Sequence, residues 1–141
     1  MRIGAVAALF VTLGLAACGN NETGFAPSAL SGPFTLQTVN TATLPAVVVD
    51  SANPPLRLDA LSGVITIMAD NVFTSVTTFR QTLGGVVTTR TVSCTGRYTA
   101  VGTVFEFTNA SPAAGCSDFS GVVSGTTLTA SVLGVPAVFR Q

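Results

Sequence analysis

The feature that most restricts how this chain can fold is a period-two alternation of side-chain character. In Val92-Ser93-Cys94-Thr95-Gly96-Arg97-Tyr98-Thr99, one side carries Val92, Cys94, Gly96 and Tyr98, and the other carries Ser93, Thr95, Arg97 and Thr99. Successive strand residues point to opposite faces of a sheet, so the first set faces inward and the second is wet. The same rule sets Phe105 and Phe107 against Val104 and Glu106. It sets Leu128, Ala130 and Val132 against Thr127, Thr129 and Ser131, and Phe139 against Val138 and Arg140. From Gly32 onward Thr, Val, Ser, Phe and Leu dominate, Gly or Asn-Pro interrupts them at short intervals, and apolar residues nowhere keep helical spacing over three turns. The spacing predicts an all-β domain.

Strands are expected near Phe34 to Val39, Ala46 to Asp50, Leu56 to Asp59, Gly63 to Ala69 and Val72 to Thr82. Others are expected near Val86 to Thr99, Thr103 to Asn109, Phe119 to Val123, Thr126 to Val132 and Ala137 to Arg140. Each has one wet face, which suits an antiparallel sheet. Gly84-Gly85 is a two-residue hairpin signal, Ala69-Asp70-Asn71 fits a short turn, and Ser124-Gly125 joins the runs after Phe119. Sequential hairpins give an up-and-down meander. About 8 to 10 such strands with one apolar face must curl, and closure into a barrel removes the unpaired edges. A β-sandwich satisfies the same alternation and is the alternative; the Cys, Trp, Cys pattern of immunoglobulin domains is absent.

The 141 residues are one domain's length, and 48% are hydrophobic against 9% charged, with six basic and six acidic side chains. Soluble chains average roughly 25% charge, so the wet faces draw their polarity from Thr, Ser and Asn. A balanced charge offers no field for gathering polyanions, which argues against nucleic acid as a partner. The high apolar content excludes charge-rich disorder.

Met1-Arg2 is a short positive start, Ile3 to Leu15 is an uncharged apolar run, and Leu15-Ala16-Ala17-Cys18 ends it in small residues. The run falls short of the roughly 18 to 20 residues that cross a hydrocarbon core, so it reads as a secretory signal over residues 1–17. Leu15-Ala16-Ala17-Cys18 resembles the lipobox of bacterial lipoproteins. That resemblance implies a Cys18 lipidated through its thiol and exposed as the first mature residue, with anchoring by its acyl chains. Gly19 follows in place of the Asp that marks inner-membrane retention, which by resemblance directs the protein to the outer membrane, facing the periplasm. Residues 18–31 mix turn formers without a period, a flexible tether of roughly 20 Å span, and the domain proper covers residues 32–141.

Gly32-Pro33-Phe34 is similar to the Gly-x-Trp opening of lipocalins, with Phe in place of Trp. Arg140 resembles the Arg that covers that ring at the closed end of the lipocalin barrel. With Leu44-Pro45, Gly96-Arg97-Tyr98, Gly121 and Val138-Phe139-Arg140, the run of about 110 residues resembles small lipocalin-like (calycin-type) bacterial lipoproteins. The resemblance implies a lipocalin-like barrel closed by Phe34 and Arg140. The last expected strand reaches Arg140 at the end of the sequence, so the helix that follows the barrel in typical lipocalins is not expected.

With Cys18 assigned to lipid, Cys94 and Cys116 remain as a pair in an oxidising compartment, where a disulfide is the default. It would staple the loop 109–115 to the neighbouring strand. A metal site is disfavoured because no His exists to complete one. The sequence also lacks Lys, which removes the usual general base and the Schiff-base and Ser-Lys nucleophiles, so no catalytic residue, cofactor or enzyme activity is expected. Asp50, Asp59, Asp70 and Asp118 are mostly expected at strand ends and turns, where Asp bonds nearby backbone, and Glu106 is expected to face solvent. Asp118-Phe119-Ser120-Gly121 is not the aspartic-protease signature, Gly121 to Gly125 lacks the Gly-x-Ser-x-Gly spacing, and the sequon Asn109-Ala110-Ser111 is noise in a bacterial lipoprotein.

Two functions of different class follow. An eight-stranded barrel can enclose one small apolar ligand, walled by Phe73, Phe79, Tyr98, Phe105, Phe107 and Phe139, with Tyr98 as the polar handle and Gly96, Ala100 and Ala130 leaving room. Alternatively the core is solid, and the domain is a non-enzymatic envelope structural protein or adaptor whose Thr-rich faces contact protein or glycan.

Overall fold

The structure is a computed structural model that describes residues 30–111 and 115–141. The signal segment, Cys18, the tether up to residue 29 and loop residues 112–114 lie outside the described residues. The elements are β1 (Gly32–Val39), β2 (Ala42–Thr43), β3 (Ala46–Ala52), β4 (Pro55–Ile67) and β5 (Val72–Leu83), followed by β6 (Val86–Val101), β7 (Val104–Asn109), β8 (Phe119–Ser124), β9 (Thr127–Val132) and β10 (Val135–Arg140).

From β4 to β10 each strand pairs antiparallel with the next, and β1 pairs with both β10 and β4. This closes an 8-strand antiparallel meander barrel with β2 and β3 as extra strands, and not a sandwich. The extra strands fill a fork. β1 pairs with β4 only over Gly32 to Thr35, after which the two strands splay; β2 then lines the upper part of β1 while β3 lines β4 from Ala60 back to Pro55. Tight turns join the strands where the backbone enters the left-handed region, as at Asn40-Thr41 (φ 47° and 68°) and Gly84-Gly85 (φ 55° and 85°), the geometry of two-residue hairpins.

One expectation needs correcting. Leu56 to Asp59 and Gly63 to Ala69 are one continuous strand, β4, because a bulge between Ala60 and Ser62 shifts the register against β5. An extra residue on one strand reverses the phase of alternation. Before it Leu58 and Ala60 turn inward, and after it Gly63, Ile65 and Ile67 do, so the sequence reads as two strands with a gap.

The barrel has a floor and a mouth. β1 begins and β4, β6 and β10 end at the floor, where Leu30 is buried, the Gln141 side-chain amide donates to the Ser31 carbonyl (3.0 Å) and the Tyr98 hydroxyl donates to the Met68 carbonyl (2.8 Å). At the other end β4, β5 and β6 run past their neighbours: β6 pairs with β7 only from Gly96 to Val101, so Val86 to Ser93 rises above the barrel with β5 and β4 as a tall wall. The interior near the floor is filled. Phe34, Phe73, Phe105, Phe107 and Phe139 are all under 2% exposed; Phe107 stacks on Phe119 at 4.5 Å, and Phe73 meets Phe107 edge-on at 5.0 Å.

The outward face of the tall wall carries an ion network. Asp59, only 2% exposed, accepts hydrogen bonds from Arg80 (2.8 and 3.1 Å) and Arg57 (2.9 Å), and Arg57 reaches Asp50 at 3.9 Å. Asp59 therefore sits mid-strand, not at a turn as its sequence context suggests, and its cross-strand register opposite Arg80 explains why. Burial works to raise the Asp59 pKa and is outweighed by the hydrogen bonds and charges of Arg80 and Arg57, so the carboxyl is held below its ordinary range. Its contribution is complete above the unfolded value of about 3.9 and is lost as pH falls through the lower folded value. Breaking a buried pair costs about 3–5 kcal/mol. Because Arg57 and Arg80 are nearly half exposed and water can solvate them once the acid is gone, Asp59→Asn is expected to cost about 2 kcal/mol, below that range. In urea unfolding the gap to the parent protein stays level from about pH 7 to 5 and narrows below about pH 4; a gap that is flat down to pH 2 would contradict the network.

Candidate functional site

The mouth holds a cleft of 140 Å³ between the tall wall and a lower lip. The wall contributes the inward phase of β5, Ser75, Thr77 and Phe79, with Ile65 from β4 and Val92 and Cys94 from β6. The lip is formed by Asn109, Gly115 and Ser117 to Phe119 between β7 and β8, and by the β9–β10 turn at Leu133 and Gly134. Phe139 closes the base. This placement follows from the strand lengths. β5 and β6 overshoot β7 and β8 by several residues, so inward-facing residues that would be core in an even barrel stand open above the plug.

The lip is tied down at three points. The Cys94–Cys116 disulfide joins it to β6 across a Cα separation of 5.7 Å, as the pairing of these two cysteines predicts. Closing a loop of this size stabilises by about 3 kcal/mol in the chain-entropy model. The Ala110 amide donates to the Thr95 carbonyl (2.9 Å), and the Asn109 amide donates to the Asp118 carboxylate (2.8 Å) while the Asn109 side-chain amide donates to the Ser117 carbonyl. These bonds use the nitrogen of the Asn109 side chain and leave its Oδ1 buried without a partner, the one buried side-chain N or O atom in that state among the described residues. An unmet buried carbonyl oxygen costs about 1–3 kcal/mol, so its presence beside a cleft marks the place.

Two charged groups border the cleft. Asp118 is exposed and engaged with Asn109, and the Arg90 guanidinium lies 3.7 Å from where a Cβ on Gly115 would stand. The groups that turn into the cleft from β5 are the neutral hydroxyls of Ser75 and Thr77. Among the described residues no group of three His, Cys, Asp or Glu side chains converges.

The ligand wall expected from the sequence is divided by the structure. Phe79 and Phe139 line the cleft, whereas Phe73, Phe105, Phe107 and Tyr98 belong to the packed plug beneath it. Tyr98 is not a free handle: its hydroxyl is spent on Met68 near the floor, and burial together with the charge of Asp70 raises its pKa. The room expected at Gly96 is taken by Phe73 and by the backbone of β7, and Ala100 is exposed. The barrel-closing pair is corrected too. Phe34 is fully buried and points inward, while Arg140 is exposed on the outward face beside Thr35, with the sheet between it and the ring; Gln141 fastens that end instead.

Asn109, Ser117 and Phe119 were not singled out as ligand contacts, because a loop's fold-back is invisible to strand periodicity. Ser75 and Thr77 had a signal: they are polar residues on the same phase as Phe73 and Phe79, an inward position that a solid core would fill with apolar groups. In comparisons with family models, with curated proteins and with solved structures, nothing matches this chain, so the reading of the cleft rests on its own geometry.

Proposed function

We propose that this protein is a lipid-anchored, lipocalin-like barrel of the bacterial envelope that holds one small molecule in its mouth and performs no catalysis. The observation that carries the reading is the cleft itself. A plugged barrel whose tall wall presents the hydroxyls of Ser75 and Thr77 and the ring of Phe79 to a small space, shared about equally between polar and apolar groups, offers both kinds of contact that hold and orient a small ligand. A cavity of about 150 Å³ accepts one benzene-sized molecule, which sets the scale of the ligand. The plug argues against a long apolar chain threaded down the barrel axis.

The anchor reading is supported by polarity of placement. The chain enters the barrel at the floor, through Leu30 and Gly32. A tether from Cys18 of roughly 20 Å would then bring the floor toward the bilayer and leave the mouth turned away from it, open to the periplasm. The absence of His and Lys from the sequence supports a binding role over a catalytic one.

Two measurements test this. The mature protein should begin at residue 18 with lipid mass added, and Cys18→Ser should release it from the membrane fraction; a mature product starting elsewhere removes the anchor. Native mass spectrometry of the protein taken from its own envelope should show one small adduct per chain. A clean mass, together with no shift of cleft resonances in a fragment screen, leaves the alternative of a solid-core adaptor.

A further inference from the structure

We infer that the open edge of β6, from Val86 to Thr91, docks an extended acidic segment of another protein, which joins the tall wall as a further antiparallel strand with its acid opposite Arg90. Three observations carry it: a row of backbone groups with no strand beside them, the regularity of that edge, and the charge of the hairpin that bears it.

β6 pairs with β5 from Val86 to Arg97 but with β7 only from Gly96 onward. The Tyr98 amide donates to the Asn71 carbonyl on the β5 side, and the Thr95 carbonyl accepts from the Ala110 amide on the β7 side, both at 2.9 Å. Successive residues of a strand turn their backbone groups to opposite edges. Even-numbered residues of β6 therefore bond β5, and odd-numbered ones address the other edge. The lip occupies that edge at Thr95 and, through Cys116, at the Ser93 carbonyl. Above it the N–H and C=O groups of Val87, Thr89 and Thr91 have no strand beside them among the described residues.

Such an edge templates strand addition unless something blunts it, and sheets do this with bulges, Pro or charge. β3, the outer strand on the other side of the wall, is blunted: a bulge breaks its register between Val47 and Val49, and Asp50 is exposed on it. β6 is regular. Its register with β5 runs unbroken from Val86 to Arg97, it contains no Pro, and the hairpin tip leaves Leu83, Val86 and Val87 exposed by 48%, 64% and 61%. Main-chain bonds to Val87, Thr89 and Thr91 would supply the affinity of an added strand, and covering the apolar tip would add to it.

Charge selects the occupant. From Val72 to Val101 the β5–β6 hairpin carries Arg80, Arg90 and Arg97 and no acidic residue. Arg80 is engaged with Asp59 on the outward face, whereas Arg90 stands on the open stretch of β6, opposite Phe79. A guanidinium has five N–H donors, so the place of Arg90 beside the lip at Gly115 leaves it able to take a carboxylate from an added strand as well. The residue set opposite Arg90 would fall in a non-hydrogen-bonded pair, with Cβ atoms about 4.5–5.5 Å apart, where opposite charges attract and like charges repel. An acid is favoured there, and apolar residues opposite Val86 and Val87. A second copy of this chain fits worse. Pairing two β6 edges antiparallel would set two basic strands side by side with no acid on either, and it would invert one barrel, so that the two chains entered at opposite ends of the dimer.

The test uses the whole mature chain in detergent and two short synthetic peptides of β-branched residues with an apolar C-terminal end, identical except for Glu or Lys at the position that meets Arg90. Amide hydrogen exchange, read residue by residue by nuclear magnetic resonance, should show Val87, Thr89 and Thr91 protected by the Glu peptide, with Thr88 and Arg90, already bonded to β5, unchanged. That alternation separates an added strand from adsorption on the apolar tip. The Glu peptide should bind about 3- to 10-fold more tightly than the Lys peptide, the difference between an attractive and a repulsive exposed pair, and Arg90→Glu should reverse the order. Thr89→Pro removes the central N–H at a place where an edge strand tolerates Pro and should abolish protection of Val87 and Thr91, with unchanged exchange in β9 and β10 reporting an intact barrel. Absence of protection with either peptide, or equal binding of the two, overturns the proposal. Protection of the same amides that rises with protein concentration and needs no peptide assigns the edge to a second copy and overturns it too. None of these outcomes touches the cleft, so the small-molecule reading stands or falls by its own adduct.

Discussion

Replacing Gly96 by alanine is expected to unfold the barrel, or to lower its stability by at least about 3 kcal/mol, the upper end of what overpacking costs. A Cβ at this position would overlap the Thr108 carbonyl oxygen and lie 2.8 Å from Cε1 of Phe73 and 2.9 Å from the Asn109 Cα. Two of those three neighbours are backbone of β7, the strand to which Gly96 is paired opposite Asn109, so no rotamer change relieves the clash. Relief would require β6 and β7 to part where β7 ends and the stapled lip begins. The neighbouring comparison is Gly121→Ala. There the nearest atom, 2.8 Å away, is the Cδ1 of the buried Leu128, a side-chain end, and the nearest backbone atom, the Thr129 carbonyl oxygen, stands at 3.1 Å, so a small shift suffices and the expected loss is about 1–2 kcal/mol. Chemical denaturation of the two variants side by side reads the difference. Equal stabilities would mean that β6 and β7 do not approach as closely as their register requires.

Gly96 also marks what a sequence can and cannot tell. Its phase is legible: it alternates with Thr95 and Arg97 and shares the inward face with Cys94 and Tyr98. That it exists to let β7 approach, and not to leave room for a ligand, depends on which residue lies opposite, and alternation fixes faces without fixing partners. The same limit separates the two halves of the predicted wall. Phe79 and Phe107 carry identical side chains in identical strand contexts, yet one borders a cleft and the other is inside the plug, because β5 overshoots the barrel and β7 stops short of it. Strand length relative to neighbours is a property of the closed sheet. The meander was legible, since hairpin signals at Gly84-Gly85 and Ser124-Gly125 join neighbouring strands, and closure followed only as the way to remove the edges, whereas the splaying of β1 from β4, the bulge at Ala60 and the short β2 were not legible. The Asp59 network was hidden for a related reason: an Asp near a Leu-rich run looks like a turn residue until its cross-strand neighbour proves to be Arg80.

Phe107→Ala is expected to cost about 3–5 kcal/mol, the range for deleting a buried aromatic ring when the surroundings cannot collapse. The ring is 1% exposed, stacked on Phe119 and met edge-on by Phe73, with Phe105 stacked at 6.1 Å on a third side. These neighbours stand on β5, β7 and the start of β8, whose spacing is fixed by their hydrogen-bonded ladders, so the void cannot close by a drift of strands. A void lined by Phe73, Phe105 and Phe119 is apolar and stays dry, so benzene should enter it and restore part of the lost stability, rising with benzene concentration as linkage requires. The parent protein, whose plug is filled, should gain less from benzene than the variant does, any gain coming from the mouth cleft alone. This pair of outcomes distinguishes a plugged barrel from a hollow one, because in a hollow barrel Phe107 would line open space, its truncation would cost little beyond the area it covers, and the parent would take up benzene as readily as the variant. A plug is also what keeps the mouth shallow. With Phe107 in place the space past Phe79 ends at the plug, so the depth of the cleft is set by a ring that does not line it.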